Sequence, residues 1–380
     1  MQYAVPLLGE ENIGQTPRIV IHIDFDYFYA QCEEVRNPSL KGKPLAVCVF
    51  SGRTEDSGVV STANYVARSY DVRSGMPIKL AKSRLAGTPD AMFLSLDMPY
   101  YSEVSEKAMS LIQPFADKFE QIGIEECYLE VSNESSSIEE ARTLGQQLKA
   151  IIMDAIGLTC SVGIAPNKLL AKIASDFQKP DGLTVVELHA AKSFLASLEV
   201  DKIPGIGPKT AGRLGELGVK KIGELAGLDQ FKLAEEFGKK AAIFIYNAAR
   251  GIDNEPVEDS GERKQIARIL TLKNDATRGE EMAEELIELC RSVLKNARGR
   301  NLSFRTVSVF VVLNNLDQRS KSKSLKTFTS NFEAVHSTAA VLLRDLMASG
   351  NAMKVRRLGV RLSEFQNTSG QNTISQFMGG

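Results

Sequence analysis

Apolar and polar positions alternate along this chain in two regimes. Through the first half, short apolar runs rich in β-branched residues are interleaved with segments of helical spacing. RIVIHIDFD, Arg18 to Asp26, reads as a buried strand, and YFYAQCEEVRNP as a helix that stops at Asn37-Pro38. LAVCVF is a second strand, followed by the polar turn SGRTEDSG. GVVSTANYVARSYDVRSGMP predicts a short strand and a helix ended by Gly75 and Pro77. PYYSEVSEKAMSLIQPF predicts a longer helix, and FEQIGIEECYLEVS two short strands with a tight acidic connection. SSIEEARTLGQQLKAIIMDAI is an amphipathic helix whose start, Ser137-Ile138-Glu139-Glu140, resembles a capping box. LTCSVGIA is a strand, and NKLLAKIASDFQKP a helix ended before Pro180. The alternation is irregular, which predicts an α+β sheet with an insertion between its strands.

From Ser193 to Arg250 the pattern is wholly helical with glycine punctuation, and the polar segment GIDNEPVEDSGERKQ follows as a linker. Beyond Ile266, ARILTL, TVSVFVVL, KSLKTFTS and RRLGVRLSEF alternate as strands and enclose the helices GEEMAEELIELCRSVLKNA and NFEAVHSTAAVLLRDLMAS. That order, β-α-β-β-α-β, is the split βαβ motif. The tail QNTSGQNTISQFMGG is polar and uncharged, and is expected to be disordered in isolation.

Composition sharpens this outline. The 380 residues, 43% apolar and 24% charged, suit several globular domains. Cys32, Cys48, Cys127, Cys160 and Cys290 are scattered without a CxxC, so they read as reduced, mostly buried thiols of a cytoplasmic protein. His22, His189 and His336 lack ligand spacing, which argues against a histidine metal site. No apolar run is long enough to span a membrane. The first residues have no basic start and too short an apolar stretch for a signal peptide, and read as a loose extension. The net charge of −1 divides unevenly: Gly261 to Gln366 holds 19 Lys and Arg against 11 Asp and Glu, a net of +8, leaving −9 for the rest. A basic module on an acidic body is the footprint of a polyanion-binding part joined to a metal-using part.

Asp24 and Asp26 close a strand that is otherwise apolar, where an unpaired carboxylate is costly. A magnesium ion would account for them, since it takes oxygen ligands from one or two carboxylates and substrate phosphates. Glu125-Glu126 is a second acidic pair about 100 residues on. Neighbouring strand side chains point to opposite faces, so both glutamates serve one site only where the backbone bends. Two such segments together would hold two ions about 3.5–4 Å apart. One would activate a hydroxyl and the other would stabilise a leaving phosphate.

IDFDYFYAQCEEVRNPSLKGKPLAV, STANYVARSYDVRSGMP, EECYLEVS, SVGIAPNKLLAKIASDFQKPDG and PGIGPKTAGRLGELGV occur in this order. In these segments, from about Ile19 to Phe365, the chain resembles the Y-family translesion DNA polymerases, most of all the archaeal branch of the DNA polymerase IV group. The resemblance implies an α+β multidomain right-hand polymerase. Its parts would be an extension at 1–17, a ferredoxin-like palm at 18–27 and 96–186, and small fingers at 28–95. A helical thumb with a helix-hairpin-helix would follow at 187–251, then a linker at 252–265, a split-βαβ little finger at 266–366 and a clamp-binding tail at 367–380.

The resemblance also implies the site. Asp24, Glu125, Glu126 and the Phe25 carbonyl would hold two Mg2+, with Mn2+ as an alternative, and Asp26 would not be a direct ligand. The usual segment is Ser-(Ile/Val)-Asp-Glu-Ala-Tyr-Leu-Asp. Here it is Gly123-Ile124-Glu125-Glu126-Cys127-Tyr128-Leu129-Glu130, so Glu125 stands where the family has a shorter aspartate. Tyr65, Arg68 and Lys179 match positions that contact the triphosphate, with Thr62 as a further donor. A phenol, a planar fork and a point charge suit phosphate oxygens. Tyr29 matches the residue that excludes a 2′-hydroxyl, and Val59, Ser61 and Gly75 match positions at the nascent base pair.

Pro204-Gly205-Ile206-Gly207 before a helix resembles a helix-hairpin-helix turn, with Gly205, Gly207 and Lys209 toward a DNA phosphate. A Rossmann reading fails because no strand precedes it. In the basic module, Lys321, Lys323, Lys326, Arg356, Arg357 and Arg361 are candidates for sequence-independent phosphate contacts. Gln371, Ile374, Phe377 and Met378 resemble a peptide that docks on a sliding clamp, with Met378 in place of the second aromatic.

The expected activity is template-directed addition of deoxynucleotides to a primer, by a monomer that binds primer-template and the clamp, at low fidelity and without proofreading. Two alternatives stand beside it. One is a catalytically impaired homologue that binds DNA and the clamp. The other is a palm-type nucleotidyl cyclase, which would leave the thumb motif, basic module and tail unexplained.

Overall fold

A computed structural model describes residues 18–135, 137–258, 264–348 and 354–368. In chain order these form β1 (Val20–Phe25), α1 (Phe28–Arg36), β2 (Leu45–Phe50), β3 (Gly58–Ala63), α2 (Tyr65–Ser69), α3 (Ile78–Arg84), β4 (Met92–Ser95) and α4 (Met98–Ile112). Next come β5 (Lys118–Gln121), β6 (Glu126–Glu130), α5 (Ile138–Ile156), β7 (Cys160–Ala165), α6 (Lys168–Phe177) and β8 (Leu183–Val185). Five helices follow: α7 (Ala191–Ala196), α8 (Pro208–Glu216), α9 (Ile222–Ala226), α10 (Gln230–Phe237) and α11 (Lys239–Ala248). The rest is β9 (Gln265–Ala276), α12 (Ala283–Arg298), β10 (Leu302–Leu313), β11 (Gln318–Thr329), α13 (Phe332–Ala348) and β12 (Val355–Asn367).

The chain falls into two compact units. Among the described residues, the first comprises those within 18–47, 61–74 and 85–258, and the second those within 48–60, 75–84 and 264–368.

In the first unit a five-stranded sheet runs β5-β6-β1-β7-β8. β1 is central, antiparallel to both neighbours and buried on both faces, and the burial explains why it reads as a continuous apolar run. Its alternate residues serve two layers. Ile21, Ile23 and Phe25 enter the core that also holds Tyr101, Met109 and Ile112 of α4 and Leu148 and Ile152 of α5. Val20 enters the core on the α6 side, with Leu170, Ile173 and Ala174. By strand alternation His22 and Asp24 share the α6 side. Gly163 on β7, the register partner of His22, brings that helix close: a Cβ there would lie 1.9 Å from the Ala171 carbonyl oxygen. Helix caps agree with the sequence: Ser137 accepts from the Glu140 amide at the start of α5, and Asn167 from Leu170 at the start of α6.

Helices α7 to α11 pack on the same core through Leu195, Leu214, Leu225, Leu233 and Ile245. The first half of the polar segment after α11 is fastened down. Asp253 accepts from the Leu169 amide at the start of α6, and Val257 is fully buried. Lys168 bridges Glu120 and the Pro256 carbonyl.

In the second unit the C-terminal sheet runs β11-β10-β12-β9, with α12 and α13 on one face. The expected β-α-β-β-α-β order is the observed one. Val307, Val309, Val311, Leu358, Val360 and Leu362 alternate into the core under those helices. Arg53 forms an ion pair with Asp275 at 2.5 Å and donates to the Lys273 carbonyl, both on β9. No described helix is long and apolar enough to cross a membrane. All five cysteines are buried thiols.

Candidate active site

The acidic segments meet where β1 and β6 pair. Asp24 and Glu126 are direct register partners, and the Phe25 amide donates to the Glu125 carbonyl at 2.9 Å. Glu125 occupies the turn ahead of β6, so the backbone does bend between the two glutamates. The turn is tied at several points. The Ile122 amide donates to the Glu126 carbonyl, Gln121 to the Gly123 carbonyl, and Ser105 of α4 to the Ile124 carbonyl at 2.5 Å.

The stretch from α6 to Lys179 supplies the positive charge. Lys179 Nζ lies 2.7 Å from Asp24 Oδ1 and 2.7 Å from Asp176 Oδ1. Lys172 pairs with Glu126. The fully buried His22 ring places Nδ1 2.8 Å from Ser175 Oγ and Nε2 3.4 Å from Glu126 Oε2. His22 and Lys172 together hold the Glu126 carboxyl down to about 2. Glu125 goes the other way. Burial, then the charges of Asp24 and Glu126, push its carboxyl up to about 7. Burial also raises Asp24, against the opposing pull of Lys179. Among the described residues the Glu125 carboxylate has no cationic partner.

This donor set fits a hard divalent cation: three carboxylates and a strand-end carbonyl, all oxygen, with the Glu125 carboxylate outside the lysine ion pairs. The side chains are not gathered into a closed cage, and no described group of three or more His, Cys, Asp and Glu is arranged to hold a metal. Lys172 and Lys179 take up two of the three carboxylates instead.

Asp26 is fully buried and satisfied. It accepts from Ser161 Oγ at 2.7 Å, Thr159 Oγ1 at 2.9 Å and the Asp181 amide at 2.9 Å. Strand alternation would put it beside Asp24, but β1 ends at Phe25, and beyond the strand Asp26 turns to Thr159, Ser161 and the Asp181 amide instead.

Tyr65, Arg68, Ser69, Arg73 and Ser74 line an open cavity of about 750 Å³. The Arg68 guanidinium stacks over the Tyr65 ring at 4.8 Å, so the two do share a face of α2. The Tyr65 hydroxyl oxygen is buried without a hydrogen-bond partner. Tyr29 stacks on the fully buried Tyr101 at 4.8 Å, and Tyr101 donates to Glu33. Thr62 is buried at the end of β3, beside Ser61. Val59 and Gly75 lie in the second unit, where Val59 bridges to Pro77 and the Gly75 amide donates to the Val60 carbonyl.

Gly205 adopts φ of 96° with the Phe244 ring against its α-carbon, and Gly207 caps α8 ahead of Pro208 and Lys209. These are the requirements of a tight turn opening onto a helix start.

The candidate DNA residues of the second unit divide by face. Lys321 and Lys323 are register partners of Val309 and Val307, so they share the helix-covered side of the sheet. Lys321 Nζ donates to the Asp345 carbonyl near the end of α13. Lys326 lies further along β11. Arg361 pairs with Ser308 on the other side and stacks over Phe310 at 5.4 Å. Arg357 pairs with Val312 and is exposed, and Arg356 is half-buried beside it. Gln371, Ile374, Phe377 and Met378 lie outside the described residues.

Comparisons with known proteins decide the family. A model described as "impB/mucB/samB family" matches residues 23–176, its "C-terminal domain" model matches 263–375, and "DNA polymerase-iota, thumb domain" matches 201–253. The chain is 47% identical to DNA polymerase IV of Nitrosopumilus maritimus over 361 residues, covering 95% of this chain and 99% of the relative. The chain belongs to the DNA polymerase IV group of the Y-family DNA polymerases. It is 40% identical to DNA polymerase IV 1 of Methanosarcina mazei, covering 95% of this chain and 99% of that relative. A solved structure titled "Y-family DNA polymerase chimera Dbh-Dpo4(243-245)-Dbh" superposes with a TM-score of 0.86 at 37% identity, covering 92% of this chain and 99% of that one. This Y-family member is thus a DNA-directed DNA polymerase of the archaeal type.

The sequence reading missed His22, Lys172 and Ser175 as neighbours of the carboxylates. One signal was present: His22 stands two residues before Asp24 in a strand and therefore shares its face.

Proposed function

We propose that this polymerase adds deoxynucleotides to a primer at the junction of β1, β6 and α6, by phosphoryl transfer with two divalent cations. The observation that carries the reading is the register pairing of Asp24 with Glu126, with Glu125 beside them and outside the lysine ion pairs. Asp24, Glu125, Glu126 and the Phe25 carbonyl would hold the ions, Mg2+ by donor chemistry with Mn2+ as an alternative. The bound cations supply Lewis-acid stabilisation of phosphoryl oxygens and a lowered pKa for the primer hydroxyl.

The chain's own groups do the rest. Arg68 and Lys179 neutralise the triphosphate, and the unpartnered Tyr65 hydroxyl donates to one of its oxygens. Thr62 is a further donor. Tyr29, backed by Tyr101, leaves no room for a 2′-hydroxyl. Val59, Ser61 and Gly75 match positions at the new base pair, and such mostly small residues would leave room for damaged bases in low-fidelity lesion bypass. Gly205, Gly207 and Lys209 meet a DNA phosphate, the basic C-terminal module holds the duplex, and residues 371–378 dock on a sliding clamp. The polymerase acts as a monomer.

One observation favours a second reading, a catalytically impaired DNA- and clamp-binding homologue. Glu125 carries an extra methylene, and a displacement of about 1 Å at such a site can cost roughly 100-fold in rate. Primer extension with Mg2+ and with Mn2+, comparing the parent with Glu125→Asp and Asp24→Ala, separates the readings. Extension by the parent that is lost in Asp24→Ala supports the metal site. Extension only by Glu125→Asp establishes the impaired homologue, and an active Asp24→Ala removes the metal site altogether.

A further inference from the structure

Lys179 sits on a short turn between α6 and β8, and the side chains of Asp26 and Lys149 grip that turn from two sides. Just past β1, the Asp26 carboxylate accepts the Asp181 amide at 2.9 Å while also holding Ser161 at 2.7 Å and Thr159 at 2.9 Å on and beside β7. From α5, the Lys149 ammonium donates to Asp181 Oδ1 at 2.6 Å and to the Asp181 carbonyl at 2.8 Å. It also reaches the Gly182 carbonyl at 3.3 Å and the Cys160 carbonyl at 2.6 Å. Asp181 has φ of 56°, in the left-handed region, so the turn needs outside support to keep its shape.

We infer that Asp26 and Lys149 are positioning residues that set the Lys179 ammonium for the incoming nucleotide. The inference rests on the proposed contact between Lys179 and the triphosphate. A fully buried carboxylate without a cation partner is expensive unless its hydrogen bonds are complete, and Asp26 takes three from groups that would otherwise move independently. The Lys149 ammonium spends its donors on backbone carbonyls of β7 and of the turn, which ties α5, β7 and the turn into one body. Lys179 is two residues before the gripped amide, so the turn fixes where its stem begins, while Asp24 and Asp176 hold the ammonium itself. A lysine is a flexible point charge, and its contribution to binding a phosphate depends on how little of that freedom is left to lose.

Neither residue touches substrate in this account, so the test must separate position from folding. Lys149→Met, at the solvent edge, is the primary variant, with Lys149→Arg as the conservative rescue. Asp26→Asn is followed by hydrogen exchange, where the Asp181 amide should exchange faster while β1 amides stay protected. In single-nucleotide primer extension, Lys149→Met should raise KM for the deoxynucleotide about tenfold with kcat within about threefold of the parent. Primer-template affinity should be unchanged, and Lys149→Arg should recover most of the loss.

The decisive comparison is the cycle with Lys179→Met. If Lys149 acts through Lys179, Lys149→Met adds nothing to KM once Lys179 is gone. An equal KM increase in both backgrounds overturns the inference, as does an unchanged KM for Lys149→Met where Lys179→Met raises it. An unchanged KM in Lys179→Met overturns the triphosphate contact itself, and is thereby distinguishable from failure of the positioning role.

Discussion

Asp24 and Glu126 face each other as register partners, and each carboxylate is held by a lysine from the same stretch of chain, Lys179 and Lys172. Two acids of like charge on adjacent strands would repel. The lysines offset that cost and leave Glu125 without an ion pair of its own.

Lys172 therefore competes with a divalent cation for Glu126. Replacing it with methionine removes the competitor and one positive charge. The Mg2+ concentration for half-maximal extension should fall by about threefold to tenfold, as expected for loss of an ion pair worth about 1 kcal/mol. Metal titration of primer extension, repeated with Mn2+ binding followed by spin resonance, checks it. A higher metal requirement would show that Lys172 assists the metal site.

Gly163 is where α6 rests on β7. An alanine methyl there collides with the Ala171 carbonyl and with the Ser175 amide, both backbone, so α6 must move. Gly163→Ala should destabilise by about 1–3 kcal/mol or more, visible as a lowered melting temperature. Extension activity should fall further than stability alone explains, because Lys172, Ser175 and Lys179 move with the helix.

Salt dependence should sort the basic residues of the second unit by face. Arg357→Ala should reduce the slope of log K against log[salt] for DNA binding by about 1. Lys321→Ala should leave the slope unchanged, since its ammonium is engaged at the end of α13. Fluorescence anisotropy with a primer-template at several salt concentrations measures both. A reduced slope in Lys321→Ala would place the duplex on the helix-covered side.

The thiols should be inert in the folded protein. Burial pushes Cys32, Cys160 and Cys290 up to about 12 and Cys48 up to about 11, and Cys127 well above the usual range. The reactive species is the thiolate, so an aromatic disulfide reagent should label none at neutral pH and all five after unfolding. Fast labelling of any cysteine in the native state would contradict its burial.

The sequence by itself determined the elements, their order and the kind of chemistry. Local periodicity marks β1, α5, α6 and the β-α-β-β-α-β module, because a side chain's face depends only on its own strand or helix period. The acidic pairs at Asp24-Phe25-Asp26 and Glu125-Glu126 stand out locally for the same reason. Only the tertiary structure decided which acids meet. Register across β1 and β6 joins Asp24 to Glu126, and the turn before β6 carries Glu125 alongside. Asp26 turns from the other acids into a buried bracket for the Lys179 turn. Pairing across β10 sets the side of the sheet on which Lys321 lies. Those outcomes depend on pairings between residues tens to more than 100 positions apart, which no local period encodes.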